Sequence, residues 1–320
     1  MKYFVTGGAG FIGSHLVDRL VKTGEVTVYD NFSSGKKEFI QRHLDNTTFH
    51  LIEDDLLNSE RLTASLKHQD VVFHLAANPE ARLGIQNTSL DLEQETLATY
   101  NLLEGMRQNR VRKIVLASSG TIYGDTPVIP LSENYGPALP ISLYGAGKLA
   151  SEGLVSAFCG TFNFQVWIFR FSNVVGQPAT HGAIYDFIHK LLSDSTQLEI
   201  LGNGKQAKPY VHVSDCVEGI LFGFENSNAP INLFNLGTEG HTSVAVIARL
   251  VAEEMGLENV KFNFTGGERG WPGDVPQVRF NIDKIKKLGW KPRLDSDSAV
   301  RQSVQEVVGQ LAGRESLCKR

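Results

Sequence analysis

Short apolar runs alternate with helical stretches along the first half of the chain. Several runs are almost continuously apolar, which is typical of strands buried on both faces of a parallel sheet. The stretches between them repeat apolar residues at helical spacing, as at Ile12, Leu16 and Leu20. This alternation predicts βαβ units and therefore an α/β fold with a doubly wound parallel sheet. The predicted strands are residues 2–6, 26–30, 48–52, 71–75, 113–117 and 166–171.

A second helical stripe follows the fourth predicted strand. It consists of Leu92, Thr96, Thr99, Leu103 and Met106, and this spacing places the five side chains on one face of a helix. We therefore expect that face to pack against the sheet. A third helix is predicted over residues 149–158.

The alternation of apolar runs and helical stretches changes after about residue 172, where shorter strands and helices follow one another less regularly. The pattern predicts strands at 198–201 and 210–213 and helices at 183–192, 242–255 and 299–311. The helix that follows residue 213 is expected to have Ser214 or Asp215 as its N-cap. Glycine and proline cluster between residues 265 and 276, which is typical of a binding loop.

Composition and charge limit the classes of protein to which this chain can belong. The chain has 320 residues, of which 42% are apolar and 21% charged, and its net charge is −4. These values are typical of a globular protein and argue against a general nucleic-acid binder, which would carry a basic patch. We expect no metal site and no disulfide framework, because Cys159, Cys216 and Cys318 are scattered.

Membrane association and export are not predicted. No run of 18 apolar residues exists, so we expect no membrane span. The first apolar run passes directly into glycines, where a signal peptide would have its apolar core. Together with the scattered cysteines, this pattern predicts a cytoplasmic protein.

Three glycines stand between the first predicted strand and the first predicted helix. Gly7 permits a tight turn, Gly10 lets the backbone approach a pyrophosphate, and Gly13 lets helix and strand pack closely. The amides at the start of that helix would face the phosphates of a dinucleotide. Asp30 ends the second strand, where an acidic side chain holds ribose hydroxyls and repels a 2′-phosphate. The sequence therefore favours NAD over NADP.

Tyr144, Lys148 and Ser119 supply the candidate chemistry. Tyr144 and Lys148 are four residues apart, so both project from one helix face. The pKa of a free tyrosine is ~10. A nearby ammonium and a cationic nicotinamide ring would both lower it and favour the phenolate. Ser119 lies just past the fifth strand, where ligands gather in doubly wound sheets. We interpret Tyr144 as the proton acceptor, assisted by Lys148 and Ser119.

These residues resemble the extended short-chain dehydrogenase/reductase family. The glycine spacing is Gly-x-x-Gly-x-x-Gly, and the Ser119, Tyr144 and Lys148 triad is similar to that of its nucleotide-sugar branch, the UDP-galactose 4-epimerases and their archaeal-like relatives. The resemblance extends through the segments 74–77, 170–176, 201–206, 210–215 and 269–274.

The resemblance implies a Rossmann domain that binds NAD and a smaller C-terminal domain that binds a UDP-sugar. The first would comprise residues 1–172 and about 211–240, and the second about 173–210 and 241–320. The implied NAD contacts are Gly7, Gly10, Phe11, Ile12, Gly13, Asp30, Asn31, Ser33, Ser34, Gly35, Asp55, Leu56, Leu75, Ala76, Ala77, Tyr144 and Lys148. The implied substrate contacts are Ser119, Thr121, Tyr144, Asn173, Ile184, Leu201, Lys208, Arg269, Asp274 and Val278.

By the same resemblance, the reaction is inversion at C4 of a UDP-hexose through a transient 4-keto sugar. Relatives carry a bulky tyrosine at the position of Val278 when they prefer plain hexoses, so the N-acetylated sugars are expected substrates as well. Relatives also form homodimers through two helices, here residues 90–107 and 144–158.

Three positions depart from the family pattern. Glu95-Thr96-Leu97 stands where Asn-Asn-Val is usual, Gly147 replaces a common serine, and Pro209 follows Lys208.

Other functions stay open at this point. A 4,6-dehydratase would carry Thr-Asp-Glu where this chain has Ser119, Gly120 and Thr121, so its acid and base are missing. A UDP-glucuronate decarboxylase is a weaker alternative. A UDP-glucuronate 4-epimerase would use the same triad, and a non-catalytic NAD-sensing module would need only the glycine loop.

Overall fold

A seven-stranded parallel sheet forms the centre of the structure, a computed structural model that describes residues 1–318, with side chains as far as residue 311. The order across the sheet is 11-6-5-4-1-2-3: β2 and β3 are added on one side of β1, and β4, β5, β6 and β11 on the other, so the strand order reverses between β1 and β4. The strands are β1 (Lys2–Thr6), β2 (Glu25–Asp30), β3 (Phe49–Glu53), β4 (Val71–His74), β5 (Lys113–Ser119), β6 (Gln165–Phe171), β7 (Asn173–Val175), β8 (Gln197–Ile200), β9 (Ala207–Lys208), β10 (Tyr210–His212), β11 (Ile231–Leu236), β12 (Thr242–Ser243) and β13 (Lys261–Phe264).

Helices cover both faces of this sheet. They are α1 (Phe11–Leu20), α2 (Ser59–Ser65), α3 (Leu83–Gln86), α4 (Ala98–Gln108), α5 (Leu143–Phe162), α6 (Ala183–Ser193), α7 (Val213–Asn226), α8 (Val244–Glu254), α9 (Asp283–Leu288) and α10 (Ser296–Cys318). Side chains of α1 and α7 share one buried core with the sheet, and those of α2, α4 and α5 share another. The predicted doubly wound α/β fold is confirmed.

The six predicted strands of the sheet are present, each within two residues of its expected bounds. The seventh, β11, was not predicted because Asn232 and Asn235 interrupt its apolar pattern. Both asparagines are buried and find partners inside the protein. The Asn235 carboxamide accepts from the Tyr123 hydroxyl at 2.6 Å and donates to the carbonyl of Leu131 at 2.9 Å, which offsets the cost of burying it.

The prediction that the side chains from Leu92 to Met106 share one helix face is wrong at its N-terminal end. Residues 92–97 form a π-helical turn that precedes α4, so the helical phase changes there. Leu92 is consequently 61% exposed, whereas Glu95 is 1% exposed. Thr99, Leu103 and Met106 are buried as expected.

Two other helix starts differ from the prediction. The N-cap of α7 is His212, whose imidazole Nδ1 accepts from the backbone N–H of Ser214, so neither Ser214 nor Asp215 caps the helix. The helix predicted at 242–255 begins only at residue 244, because Thr242 and Ser243 form β12 and Ser243 caps α8.

A third buried core lies outside the central sheet. It joins α6, α8 and α10 with the pair β8 and β13, in the part of the chain assigned to the substrate domain. No helix within residues 1–318 is long and apolar enough to cross a membrane.

A buried polar network ties the sheet to α5. The Arg170 guanidinium donates to both oxygens of Glu152, at 3.0 Å and 2.7 Å, and to the Tyr123 hydroxyl at 2.9 Å. The Ser118 hydroxyl donates to the same carboxylate. Because Ser118 is on β5, Arg170 on β6 and Glu152 on α5, the network fixes that helix beside the carboxyl ends of the strands.

Candidate active site

A cleft of about 490 Å³ lies at the carboxyl ends of β1, β4 and β5. This is where strand order reverses, the usual ligand site of an open α/β sheet. Residues of the C-terminal part of the chain, including Ile184, Lys208 and Asp274, close the other side. The cleft therefore brings together most of the predicted cofactor and substrate residues.

The glycine loop forms the floor of the cleft. Gly7 has φ +68°, and a Cβ added there would lie 2.6 Å from the backbone nitrogen of Ala76. A Cβ at Gly13 would lie 2.0 Å from the Gly7 carbonyl oxygen. Only glycine fits at these positions, so the loop brings bare backbone to the cleft at the start of α1, as a pyrophosphate requires. The loop thus fits the NAD that the sequence predicts.

Asp30 lies at the rim of the same cleft and is 8% exposed. Its carboxylate accepts from the backbone N–H groups of Ala9, at 2.8 Å, and of Phe32, at 2.9 Å. Burial raises the pKa of this carboxyl above its usual value, and the two N–H bonds partly offset the shift. The carboxylate is therefore held rigidly, with lone pairs left for ribose hydroxyls.

Most of the predicted cofactor residues line the cleft, and two do not. Asp55 instead accepts from the side chain of Asn31 at 2.7 Å and from the N–H of Leu57 at 2.8 Å, while its neighbour Asp54 faces the cleft. Gly35 lies behind Asp30, against Ala9. The predicted residues that line the cleft are Gly7, Gly10, Phe11, Ile12, Gly13, Asp30, Asn31, Ser33, Ser34, Leu56, Leu75, Ala76, Ala77, Tyr144 and Lys148.

Ser119, Tyr144 and Lys148 converge on the centre of the cleft. Ser142 caps α5 by accepting from the N–H of Gly145 at 3.1 Å, which places Tyr144 in the first turn of the helix. Lys148 is one turn further on, with its ammonium nitrogen 5.7 Å from the centre of the Tyr144 ring. Ser119 reaches the same point from the end of β5.

The electrostatics of Tyr144 include two effects that oppose the expected action of Lys148 on the phenol. Burial raises the pKa of Tyr144 above its ordinary value, and the Lys148 ammonium opposes this shift. A carboxylate that was not predicted to take part, Glu95, raises the pKa further. A further cation close to the phenol would oppose both effects and favour the phenolate.

Glu95 is the principal site residue that sequence reasoning missed. Its carboxylate lies 2.8 Å from the Lys148 ammonium and accepts from the N–H of Asn78 at 3.0 Å. Asn78 also lines the cleft and had not been predicted. The only signal in the sequence was the departure at residue 95 from the family pattern.

The substrate side of the cleft includes eight of the ten predicted residues. Lys208 pairs with Asp274 at 2.5 Å, so its ammonium is engaged by a carboxylate rather than solvated. Leu201 is 37% exposed and does not face the cleft. Arg269 also lies outside the lining, because its guanidinium donates to the Asp274 carbonyl and pairs with Asp125. The eight are Ser119, Thr121, Tyr144, Asn173, Ile184, Lys208, Asp274 and Val278.

Comparison with known protein families gives a match over most of the chain. The model described as the NAD dependent epimerase/dehydratase family matches residues 3–237. A putative UDP-glucose 4-epimerase of Methanocaldococcus jannaschii is 32% identical over 306 residues, which cover 94% of this chain and 96% of that protein. UDP-glucuronic acid decarboxylase 1 of Xenopus tropicalis is 31% identical over 319 residues, covering 95% of this chain and 71% of that protein.

Comparison with solved structures also gives a match along nearly the whole chain. A crystal structure of a UDP-galactose 4-epimerase superimposes with a TM-score of 0.87 and 41% sequence identity, covering 97% of this chain and 100% of that chain. Enzymes of more than one reaction type therefore resemble this chain along nearly its whole length, so the choice between reactions depends on the residues in the cleft.

Proposed function

We propose that this chain, which belongs to the NAD dependent epimerase/dehydratase family, inverts C4 of a UDP-hexose through a transient 4-keto sugar. Its relatives confirm the predictions of an enzyme of the UDP-glucose 4-epimerase type that uses NAD. The observation that carries the proposal is the convergence of Ser119, Tyr144 and Lys148, with Gly120 and Thr121 beside them. No carboxylate stands at those two positions to act as the acid of an elimination.

The chain's own residues account for the proton movements. Tyr144, as phenolate, accepts the proton of the sugar's C4 hydroxyl and later returns it to the same oxygen. Ser119 is placed to hydrogen-bond that oxygen, and Lys148 holds a positive charge beside the phenol. When bound, NAD⁺ supplies the hydride acceptor for C4, and its reduced form the donor for the return. Between the two transfers the keto sugar must present its other face.

The loop and the rim would hold the cofactor throughout this cycle. The backbone at Gly10 and Gly13 would take the pyrophosphate, and Asp30 the ribose hydroxyls. We propose that Asn173 and Lys208 would bind the diphosphate of the substrate and Ile184 its uracil, because all three line the cleft. We propose that the bound sugar nucleotide therefore lies between Tyr144 and the C-terminal part of the chain.

Product analysis tests the reaction directly. The purified protein is incubated separately with UDP-glucose, UDP-N-acetylglucosamine and UDP-glucuronate, and the sugar nucleotides are separated by chromatography. We expect interconversion of UDP-glucose and UDP-galactose without added reductant. Release of carbon dioxide from UDP-glucuronate would instead identify a decarboxylase, as in the Xenopus tropicalis relative. A 4-epimerase of UDP-glucuronate is the second candidate, because it needs the same three residues.

Tyr144→Phe is the matched variant for this assay. Loss of the phenolic hydroxyl removes the proton acceptor, so turnover should fall by about 10²–10⁴-fold. The NAD content of the purified protein, measured after denaturation, should stay near that of the wild type. Turnover within a few-fold of the wild type would contradict the proposed role of Tyr144.

We also propose that the protein acts as a homodimer. Large apolar side chains are exposed near the predicted dimer helices, among them Leu97, Tyr100 and Leu143, which are 45%, 46% and 43% exposed. A second copy that packs the same face against this one would bury all three. A cytoplasmic location is proposed with it, because Cys159 and Cys216 are both buried and unpaired.

A further inference from the structure

Glu95 is buried in the π-helical turn and is 1% exposed. One carboxylate oxygen accepts from the N–H of Asn78 at 3.0 Å, and the other lies 2.8 Å from the Lys148 ammonium, which is 3% exposed. A carboxylate buried this deeply is costly unless it is paired and hydrogen-bonded. The structure satisfies both conditions, because Lys148 of the candidate catalytic triad pairs with one oxygen and the N–H of Asn78 donates to the other.

Helix α5 has a glycine, Gly147, at the point where Glu95 packs against it. A Cβ added at Gly147 would lie 2.7 Å from the Cβ of Glu95 and 3.0 Å from the carbonyl oxygen of Asp91. Glycine at 147 therefore lets the π-helical turn approach the helix that carries Tyr144 and Lys148. Residues 95 and 147, two of the departures from the family pattern, are thus one structural feature.

The pairing uses the hydrogen bonds of Lys148 as well as its charge. The ammonium donates to the carbonyl oxygen of Ala117 at 3.1 Å and contacts the Glu95 carboxylate. An ammonium has three donors, so one N–H is left to point into the cleft. Lys148 is consequently fixed in one orientation beside Tyr144.

Other titratable groups around Glu95 are limited in number. Asp91 lies on the preceding turn and binds the side chain of Asn78 at 2.9 Å, while Tyr144 and Lys148 face Glu95 from α5. On the sheet side, His74 contacts Thr99 and is kept neutral because burial lowers its pKa to about 3. The charges that act on the Tyr144 phenol are therefore those of Glu95, Asp91 and Lys148.

We propose that Glu95 is a positioning residue: it fixes Lys148 beside Tyr144 and offsets the ammonium charge, so that release of the Tyr144 proton depends on the cationic ring of oxidised cofactor. This inference rests on the proposed epimerase function. Its consequence is that Tyr144 holds its proton when the ring is reduced and neutral. An epimerase would need this alternation, because Tyr144 must accept the C4 hydroxyl proton as hydride leaves C4 and keep it until hydride is returned to C4.

Glu95→Gln tests the charge. The amide keeps an oxygen for the N–H of Asn78 but cannot offset the ammonium. The phenolate of Tyr144 should become easier to form, so the acid limb of kcat/KM for UDP-galactose should move to lower pH by on the order of one unit. An acid limb that stays in place, or moves to higher pH, would overturn the proposal.

Two further variants separate charge from shape. Glu95→Asp keeps the charge on a shorter side chain, so its acid limb should stay near that of the wild type while kcat falls. Asp91→Asn removes the neighbouring carboxylate, which contacts Asn78 but not Lys148. Its acid limb should move less than that of Glu95→Gln, and an equal or larger shift would assign the effect to general buried charge.

A spectroscopic titration gives a readout that needs no turnover. Tyrosinate absorbance is followed against pH in the wild type and in Glu95→Gln, with Tyr144→Phe subtracted from each to isolate the Tyr144 signal. The Tyr144 transition should lie at lower pH in the Gln variant, and coincident transitions would contradict the proposal. If the wild type epimerises no UDP-hexose, the proposed function fails, while this titration still decides the role of Glu95.

Discussion

Val278 is a small, half-buried side chain that lines the cleft, where we propose that it borders the sugar. Val278→Tyr should reduce turnover of UDP-N-acetylglucosamine by about tenfold or more relative to UDP-galactose, because the ring would occupy space needed by the acetamido group. The two substrates are compared by kcat/KM. Val278→Ala is the control and should leave the ratio unchanged. Equal losses on both sugars with Val278→Tyr would remove this residue from the specificity pocket.

At the scale of single residues, the site residues that could be predicted from the sequence are those whose proposed role follows from residue type and spacing. Gly7 and Gly13 were recognisable because only glycine suits a tight phosphate loop, and Tyr144 with Lys148 because four residues make one helical turn. The pairing of Lys208 with Asp274 could not be predicted, since no local spacing brings them together. Arg269 was placed by resemblance alone, and its ion pair with Asp125 was not visible in the sequence.

At the scale of elements, the N-cap of α5 connects stability to the site. Ser142 accepts from the N–H of Gly145 at 3.1 Å, one turn before Lys148. Ser142→Ala should lower the free energy of unfolding by about 1 kcal/mol, and it should also lower kcat several-fold because the frayed turn carries Tyr144. Urea unfolding and initial rates measure the two effects.

Ser243→Ala is the matched control for that prediction. Ser243 caps α8 by accepting from the N–H of Val246 at 3.3 Å, in a helix whose residues do not line the cleft. It should cost a similar amount of stability and leave kcat unchanged. Equal losses of kcat in both variants would show that stability alone, and not the position of Tyr144, explains the effect.

The strands and helices differ in how far they could be predicted from the sequence. Six of the seven strands of the central sheet were predicted because buried parallel strands are continuously apolar, a local property. The π-helical turn was not, because residues 92–97 read as an ordinary helix under a period of 3.6. One extra residue in that turn exposes Leu92 and buries Glu95. The error in a single turn therefore hid the contact between Glu95 and Lys148.

At the scale of the whole molecule, the proposed dimer gives a direct test. Tyr100→Glu places a charge in the middle of the exposed apolar face, so it should shift the protein from dimer to monomer in sedimentation or light-scattering measurements. Leu192→Glu is the control, since Leu192 is 45% exposed on α6, away from that face. A wild-type monomer, or dissociation in both variants, would contradict the proposed interface.

The connectivity of the sheet has a consequence for how the chain is made. Strand β11 pairs with β6, yet residues 172–230 separate them along the chain. On the ribosome, β6 therefore emerges with an open apolar edge that stays unpaired until residue 236 has been synthesised. At roughly 5–20 residues per second, that interval lasts several seconds, during which the nascent chain can pair with the wrong strand. The glycine loop and strands β1 to β6 are complete by then, so six strands of the sheet must wait, with one edge open, for a seventh that the chain supplies only after residues 172–230.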